Sequence, residues 1–214
     1  GTGYLAETIR TCLPKMGHEM EVIEAADLVW LAEDTPVDEN DVADVGVIER
    51  LAQDSFRRLS VNQVYLVSSQ VPVGTTRRFF HQQEMPHLIP FAYHPENIRR
   101  GRGVADFLNP DRIVCGIDST EAREALIELF DPIAAPIHWM SIESAEMTKH
   151  ALNAHLAMQI AFANEVAALC EKMGAKYEDV ERALRADKRV GAHGYLRAGE
   201  GFSGGTLGRD LKYL

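Results

Sequence analysis

The feature that most constrains this chain is a run of 30 residues, 144–173, that contains neither proline nor glycine. A helix over this run is about 45 Å long, and Gly174 supplies its stop. Glu143 and Glu146 favour the amino end of that helix through its dipole, and Lys172 favours the carboxyl end. Because apolar side chains occupy several of its faces, the helix must be buried on more than one side. A single sheet cannot cover it, so a partner subunit or another domain is predicted.

A narrow polar line crosses the apolar surface of this helix. Lys149 and Asn153 are four residues apart, and Asn164 falls about 20° from Asn153 around the helix axis. Buried polar side chains are costly unless they bind something, which favours a functional site on this line. The alternative is local: Lys149 snorkels to solvent and the asparagines cap neighbouring loops.

Short apolar runs alternate with helical periodicity upstream of the long helix. The runs predict strands at 27–32, 63–68, 87–93, 112–116 and 137–140, and the periodicity predicts helices at 45–59, 76–83 and 120–130. This alternation is typical of an α/β fold, a Rossmann-like parallel sheet with helices on both faces. Ligands bind such sheets at the carboxyl ends of the strands, where the loops at 35–36 and 72–74 fall.

The chain opens with a Gly-x-Gly-x-x-Ala loop formed by Gly1, Gly3 and Ala6. Such a loop normally follows a buried strand and opens a helix whose free backbone amides meet a pyrophosphate. No strand precedes it here, so a flexible amino terminus is the alternative. Pro14 is expected to shorten or kink the helix that follows, and Gly17 to end it.

A second glycine-rich stretch lies near the end of the sequence. Five glycines fall within residues 199–208, and they allow the backbone to approach a ligand closely. Arg209 can pair with a phosphate or a carboxylate, and Asp210 can orient a water or a lysine. The alternative is a mobile glycine-rich tail.

Composition excludes several classes of function. The net charge of −10 disfavours binding to the negatively charged phosphate backbone of a nucleic acid, so no nucleic-acid partner is expected. The longest apolar stretch is too short to span a bilayer, so no membrane partner is expected. Three widely spaced cysteines without metal-ligand spacing indicate free thiols in a reducing compartment. With no basic-then-apolar leader at the start, a cytoplasmic location is expected.

Taken in order, the motifs resemble those of the UDP-glucose/GDP-mannose dehydrogenase family. The matching segments are Gly-Thr-Gly-Tyr at 1–4, Thr-Pro at 35–36, Val-Pro-Val-Gly-Thr at 71–75, Pro-Glu at 95–96, Asp-Phe-Leu-Asn-Pro-Asp-Arg at 106–112, Ser-Ala-Glu-Met-Thr-Lys at 144–149 with Asn153, Phe-Ala-Asn-Glu at 162–165, and Gly-Phe at 201–202 with Asp210. No single motif is decisive, but their shared order along nearly the whole chain is specific.

The resemblance implies NAD-dependent oxidation of a sugar C6 alcohol to a carboxylate in two hydride transfers. Its substrate would be a UDP- or GDP-sugar, held by a second Rossmann-like domain, and a homodimer would form through the helix at 144–173. Carried over residue by residue, the catalytic positions are Lys149, Asn153, Asp210 and Thr206. The cofactor-binding positions are Gly1, Gly3, Tyr4, Thr35, Pro36, Gln70 and Arg209, and the substrate-binding positions are Glu96, Asn97, Ile98, Arg99 and Gly204. No metal site is expected.

Four departures from the family pattern bear on the chemistry. Thr206 stands where the family has the cysteine that carries the second oxidation as a thioester, and a threonine hydroxyl is a poor substitute. Arg100 stands where many members have a general-base glutamate, and a guanidinium cannot take a proton. Gln70 replaces a threonine beside the nicotinamide, and Arg209 replaces a lysine. We therefore expect the four-electron oxidation to be impaired, leaving a two-electron oxidation or an altered sugar.

The family pattern also includes segments that have no counterpart in this sequence. The first strand is lacking, and a stretch between Met20 and Glu21 is expected to be lost, by deletion or by omission from the record. The predicted domains are an incomplete NAD-binding domain at 1–141 and a central helical region at 142–214. One alternative function is a non-catalytic nucleotide-sugar or dinucleotide binder. Another is a dehydrogenase of the 6-phosphogluconate or hydroxyisobutyrate type, against which the segments at 95–96 and 107–112 argue.

Overall fold

The computed structural model describes residues 1–81, 89–202 and 207–214. The chain forms two compact units, one built from residues 1–36 and 43–149, the other from 37–42 and 150–214. The first unit contains the sheet and the second is helical.

The first unit is built on a five-stranded sheet whose strands lie side by side in chain order. The strands are β1 (Leu28–Leu31), β2 (Val64–Val67), β3 (Phe91–Tyr93), β4 (Ile113–Ile117) and β5 (Ile137–Met140). Each lies within a run predicted from the sequence or one residue beyond it. Of the run at 87–93, residues 87 and 88 lie outside the described residues.

The predicted parallel sheet is confirmed, with one antiparallel pair of strands in it. The pairs β1–β2, β2–β3 and β4–β5 are parallel, but β3–β4 is antiparallel. A parallel neighbour needs a connection that returns the chain to the opposite edge of the sheet. The connection after β3 does not cross; it holds only a short helix, α4 (Gly103–Leu108), and enters β4 from the edge at which β3 ends.

Apart from α4, the helices of the first unit begin near the residues expected; residues 82 and 83 of the helix predicted at 76–83 lie outside the described residues. The helices are α1 (Tyr4–Cys12), α2 (Val45–Phe56), α3 (Thr75–His81), α4 and α5 (Thr120–Phe130). Pro14 ends α1 early, since a 3-10 turn (Leu13–Met16) follows it and Gly17 closes that turn with φ of 87°. The helix α4 was not predicted from the sequence.

Two apolar layers, one on each face of the sheet, form the core of the first unit. All four residues of β2 are buried, and they alternate between the layers because side chains along a strand point to opposite faces. Leu66 packs into the cluster that contains Leu126 and Phe130. Tyr65 packs into the cluster that contains Phe80. Helices on both faces therefore follow from the uninterrupted apolar composition of the central strand.

The long helix α6 (Ile142–Met173) begins two residues before the predicted run and ends where that run ends. The second unit adds α7 (Tyr177–Ala186) and α8 (Leu207–Tyr213), neither of which was predicted. Its apolar cluster has only three buried residues, Ala163, Cys170 and Tyr177. The Tyr177 hydroxyl donates to the carbonyl oxygen of Leu196 at 2.6 Å, which fastens the chain after α7 to that cluster. Within the described part of the chain, no helix combines the length and hydropathy needed to cross a bilayer.

Candidate active site

Lys149 points from α6 at the segment that follows β3. Its Nζ donates to the carbonyl oxygen of Glu96 at 2.5 Å and to Oδ1 of Asn97 at 3.2 Å. Because β1, β2 and β3 are parallel, this segment lies at the edge where their carboxyl ends meet. Lys149, which was predicted to be catalytic, is thus held at the edge of the sheet where ligands bind α/β folds.

Glu96 is the titratable group beside this lysine. Burial of its carboxyl group raises its pKa to about 7, although the amide of Ile98 and the Lys149 ammonium both favour the charged form. The Ile98 amide donates to Oε2 of Glu96 at 2.7 Å and fixes the orientation of the carboxyl group. A carboxyl group that titrates near neutral pH is suited to accept and return a proton.

A buried hydrogen-bond chain holds the backbone just before Glu96. The Trp30 indole donates to the Ser68 hydroxyl at 2.8 Å, and that hydroxyl donates to the carbonyl oxygen of His94 at 2.7 Å. The His94 ring lies with Nδ1 2.8 Å from the carbonyl oxygen of Val114. Burial lowers the pKa of His94 to about 4, so the ring is neutral and acts as a packing element. Strands β1, β2 and β4 together therefore position Glu96.

Tyr4 fastens the loop that carries Arg99. Its hydroxyl accepts from the amides of Gly101 at 3.0 Å and Gly103 at 2.9 Å, and donates to the carbonyl oxygen of Arg99 at 3.2 Å. The Arg99 guanidinium pairs with Asp106 at 2.7 Å. Both side chains therefore have structural partners in the same loop, and the roles of Tyr4 toward cofactor and Arg99 toward substrate stay predictions.

Thr35 and Gln70 lie together at the carboxyl ends of β1 and β2. The buried Thr35 hydroxyl donates to the carbonyl oxygen of Gln70 at 2.5 Å, and Pro36 beside it is exposed. The bond joins the two loops that follow these strands. The structure thus brings together two of the residues that the resemblance assigned to the cofactor.

In the second unit, Asn153 and Asp210 meet in a buried polar cluster. Nδ2 of Asn153 donates to Oδ2 of Asp210, which is fully buried. Oδ1 of Asp210 lies 3.5 Å from Nδ1 of His150 and 3.6 Å from Nε of Arg209. The ring of Tyr213 packs edge-on against His150 at 4.9 Å. The structure thus brings two of the residues predicted as catalytic into contact, and Arg209 is buried beside them.

His150 was not singled out from the sequence. It is fully buried within this cluster. The signal was available, because His150 and Asn153 are three residues apart and residues at that spacing share a helix face. The remaining two predicted residues, Thr206 and Gly204, lie outside the described residues.

Glu146 is a second residue whose role was not predicted from the sequence, where its charge was considered only for its interaction with the helix dipole. It is fully buried, and its carboxylate accepts from the amides of Gly74 at 2.5 Å and Thr76 at 2.9 Å. Burial raises its pKa, while those amides oppose the shift. Glu143, one turn earlier on α6, pairs with Arg77. The first turns of α6 therefore hold the loop after β2 and the start of α3.

The glycine loop at the start of the chain meets two carboxylates that were not singled out from the sequence. Oε2 of Glu33 accepts from the Thr2 amide at 2.8 Å, and Oε1 accepts from the Thr2 hydroxyl at 2.9 Å. Oδ2 of Asp34 accepts from the Tyr4 amide at 3.0 Å. A Cβ at Gly3 would lie 2.2 Å from that same Asp34 oxygen, so the approach requires glycine.

Two family models match nearly the whole chain. Residues 3–134 match the NAD binding domain of the UDP-glucose/GDP-mannose dehydrogenase family, and residues 143–214 match the central domain of that family.

Individual relatives agree with those matches. The chain is 35% identical over 201 residues to a UDP-glucose 6-dehydrogenase of Rhizobium meliloti, covering 90% of this chain and 46% of that protein. It is 36% identical over 194 residues to the UDP-glucose 6-dehydrogenase YwqF of Bacillus subtilis, covering 88% and 44%. A solved UDP-glucose dehydrogenase from Pyrobaculum islandicum superposes with a TM-score of 0.78 at 33% identity, covering 88% and 45%. The chain thus spans under half the length of these relatives.

Proposed function

The chain belongs to the UDP-glucose/GDP-mannose dehydrogenase family, and we propose that it carries the cofactor-binding and central parts of an NAD-dependent oxidoreductase acting on a nucleotide-sugar. The substrate class is a UDP- or GDP-sugar, and the reaction is oxidation of its C6 alcohol. The observation that carries the proposal is Lys149, held against Glu96 and Asn97 at the carboxyl edge of the sheet.

The chemistry assigned to this chain's residues is proton transfer and charge stabilisation. Oxidation of an alcohol removes a proton from oxygen and a hydride from carbon. The Lys149 ammonium lowers the energy of a developing alkoxide, and Glu96, with its pKa about 7, can take the proton. Bound NAD supplies the acceptor for the hydride. In the second unit, the Asn153 and Asp210 pair is proposed to hold a water molecule, the role that the resemblance implies.

The residues present fit NAD in backbone geometry. Gly1 and Gly3 stand at the amino end of α1 beside the end of β1, and a Cβ at Gly1 would lie 2.1 Å from the carbonyl oxygen of Ala32. The loops after β1 and β2 are joined through Thr35 and Gln70. In this assignment the amides at the start of α1 would hold the pyrophosphate, and Gln70 would lie beside the nicotinamide.

Thr206 limits the proposed reaction to its first oxidation. The second oxidation needs a thiol that adds to the aldehyde to give a thiohemiacetal, which would become a thioester by losing a hydride to a second NAD, and a hydroxyl group adds poorly at neutral pH. We expect the full-length protein to release one NADH per sugar and an aldehyde product. The measurement is NADH absorbance together with mass spectrometry of the sugar, using a panel of UDP- and GDP-sugars.

A Thr206→Cys variant separates the role of this position from that of Arg100. If the missing thiol alone blocks the second step, the variant releases two NADH per sugar and forms a uronic acid. Thr206→Ser is the matched control and should behave as the parent protein. Two NADH per sugar from the parent protein would overturn the assignment of Thr206.

The second candidate is a binder that has kept the nucleotide-sugar site without turnover. The observations that favour it are Thr206 and the exposed Arg100 at positions where the family has reactive groups. Calorimetric binding of a nucleotide-sugar with no NADH formation across the panel would select this candidate over the oxidoreductase.

A homodimer through α6 is proposed from the exposed side chains of that helix. Met158, Phe162, Leu169 and Met173 are 61%, 49%, 56% and 82% exposed. Their spacings of four, seven and four residues place them along one stripe of the helix. Apolar stripes of this kind mark surfaces that another chain covers.

The domain boundaries at 141 and 142, and the lost stretch after Met20, also stay proposals. The lost stretch is supported by a cleft of about 820 Å³ beside β1, whose lining includes Met20, Glu21 and Trp30. Among the described residues β1 pairs with β2 alone, so its other edge is open to another strand. Mass spectrometry of the natural protein over this junction tests the proposal. A cytoplasmic location is supported by three buried cysteines that form no disulfide.

A further inference from the structure

Glu33 and Asp34 occupy the backbone donors on which a dinucleotide of the proposed function depends. An amide at the amino end of a helix binds anions because its hydrogen bond is unsatisfied within the helix and the dipole favours negative charge. The Tyr4 amide is a donor of this kind at the first residue of α1, and the Thr2 amide lies in the glycine loop just before the helix. Both already donate to carboxylates, at 2.8 Å and 3.0 Å.

These carboxylates come from the end of β1 and are accessible. Asp34 is exposed, Glu33 is half-buried, and the hydrogen bonds that they accept lie at the surface. A ligand can therefore reach the same amides, but only by displacing the acidic side chains or by lying beside them. A pyrophosphate beside the carboxylates is repelled by their two negative charges. A pyrophosphate that displaces them must first break the hydrogen bonds that they accept. Both routes oppose binding.

The glycines of the loop are used for the same contact. Gly3 allows Oδ2 of Asp34 to lie where a Cβ would clash, and Gly1 allows close approach of the Ala32 carbonyl oxygen. The space that the missing side chains of these glycines leave, which usually admits a pyrophosphate, is filled here by residues at the end of β1. Glu33 and Asp34 act as a built-in anion at this loop.

We infer that Glu33 and Asp34 set the affinity for the dinucleotide by competing with its pyrophosphate for the amides of Thr2 and Tyr4. The inference rests on the proposed use of NAD. It predicts that this protein binds NAD weakly and that removing the two charges strengthens binding.

The test is calorimetric titration of NAD into the parent protein and into the double variant Glu33→Gln/Asp34→Asn at low ionic strength. The amide oxygens can still accept from Thr2 and Tyr4, so the loop keeps its hydrogen bonds and loses only the charge. The expected result is binding about tenfold tighter in the variant. The difference should shrink as salt is added, because exposed charges are screened.

Two controls identify the cause. The variant Glu124→Gln/Asp131→Asn removes the same net charge from exposed positions at α5 and should leave the affinity unchanged. Adenosine, which lacks the pyrophosphate, should bind the parent and the Glu33/Asp34 variant equally. A gain in the α5 variant as large as in the test variant would overturn the inference, because net charge alone would then account for it.

The outcomes also separate this inference from the proposed function. If the parent protein binds NAD and the Glu33/Asp34 variant binds it no more tightly, the competition is wrong and the proposed cofactor stands. If neither protein binds NAD, the competition and the proposed cofactor are both wrong.

Discussion

At the scale of single residues, the buried carboxylate of Glu146 has the clearest consequence for the site. It accepts from the Gly74 amide in the loop after β2 and from the Thr76 amide at the start of α3, although it lies 72 and 70 residues away in sequence. A fully buried carboxylate is costly unless such donors satisfy it. The conformation of that loop therefore depends on this one side chain.

Glu146→Gln should lower the free energy of unfolding by about 1 to 2 kcal/mol, because one of the two amides loses its charged acceptor. In the active full-length protein it should raise KM for NAD more than it lowers kcat, since the loop lies on the cofactor side. Chemical denaturation and steady-state kinetics measure these effects. The exposed Glu124→Gln is the matched control, and equal stability of the two variants would contradict the role given to Glu146.

Glu96 should make stability depend on pH near neutrality. Burial raises its pKa to about 7 in the folded protein, from 4.5 for an unperturbed glutamate. Between these values the folded state holds a proton that the unfolded state has released, so stability falls as pH rises from about 4.5 to about 7. Asp106 and Lys149 are the charged neighbours that also act on this carboxyl group.

Glu96→Gln should flatten this part of the stability curve. Thermal unfolding across that pH range measures the change, and the variant should gain most relative to the parent above pH 7. An unchanged slope in the variant would show that another group titrates in this window.

At the scale of secondary-structure elements, α6 has two different surfaces. One face of its first turns is buried and holds α3 through Glu143 and Glu146, whereas the stripe from Met158 to Met173 is exposed. Ordinary soluble chains do not leave four large apolar side chains in one line on a helix. The exposed stripe is the reason for proposing a dimer.

Phe162→Glu should convert the proposed dimer into a monomer, because a charge in the middle of an apolar interface must be desolvated. Light scattering after size-exclusion chromatography measures the change in mass. Ile127→Glu is the matched control, since Ile127 is an apolar residue of α5 that is 46% exposed, close to the 49% of Phe162. A parent protein that is already monomeric, or a Phe162→Glu variant that stays dimeric, would contradict the interface.

At the scale of the whole molecule, the core is unevenly distributed between the two units. The sheet of the first unit has an extensive apolar layer on each face, whereas the described residues of the second unit form a cluster of three buried residues. Local opening is easiest where few apolar contacts must be broken.

Amide hydrogen exchange should therefore be slow in β2 and fast in α7. If a second copy covers α6, Phe162→Glu should speed exchange in α6 and α7 while leaving β2 unchanged. Exchange followed by mass spectrometry measures both. Equal protection of β2 and α7 in the Phe162→Glu variant would contradict the uneven distribution of stability.

Most elements of the fold could be predicted because their signals are local. The five apolar runs became strands, the proline-free run became α6, and Pro14 shortened α1, each through the preferences of neighbouring residues. The short helices α4, α7 and α8 were missed because packing against the rest of the chain, rather than a long periodic pattern, stabilises short helices.

The sequence by itself determined the strand and helix pattern, the glycine loop, and the choice of Lys149, Asn153 and Asp210. Only the tertiary structure decided that β3 and β4 run antiparallel, since strand direction depends on the path of the connection. It also brought Glu33 and Asp34 to amides 31 and 30 residues away, and Glu146 to an amide 72 residues away. Hydrogen bonds between such distant residues leave no periodic trace in a single sequence, because they depend on how the whole chain packs.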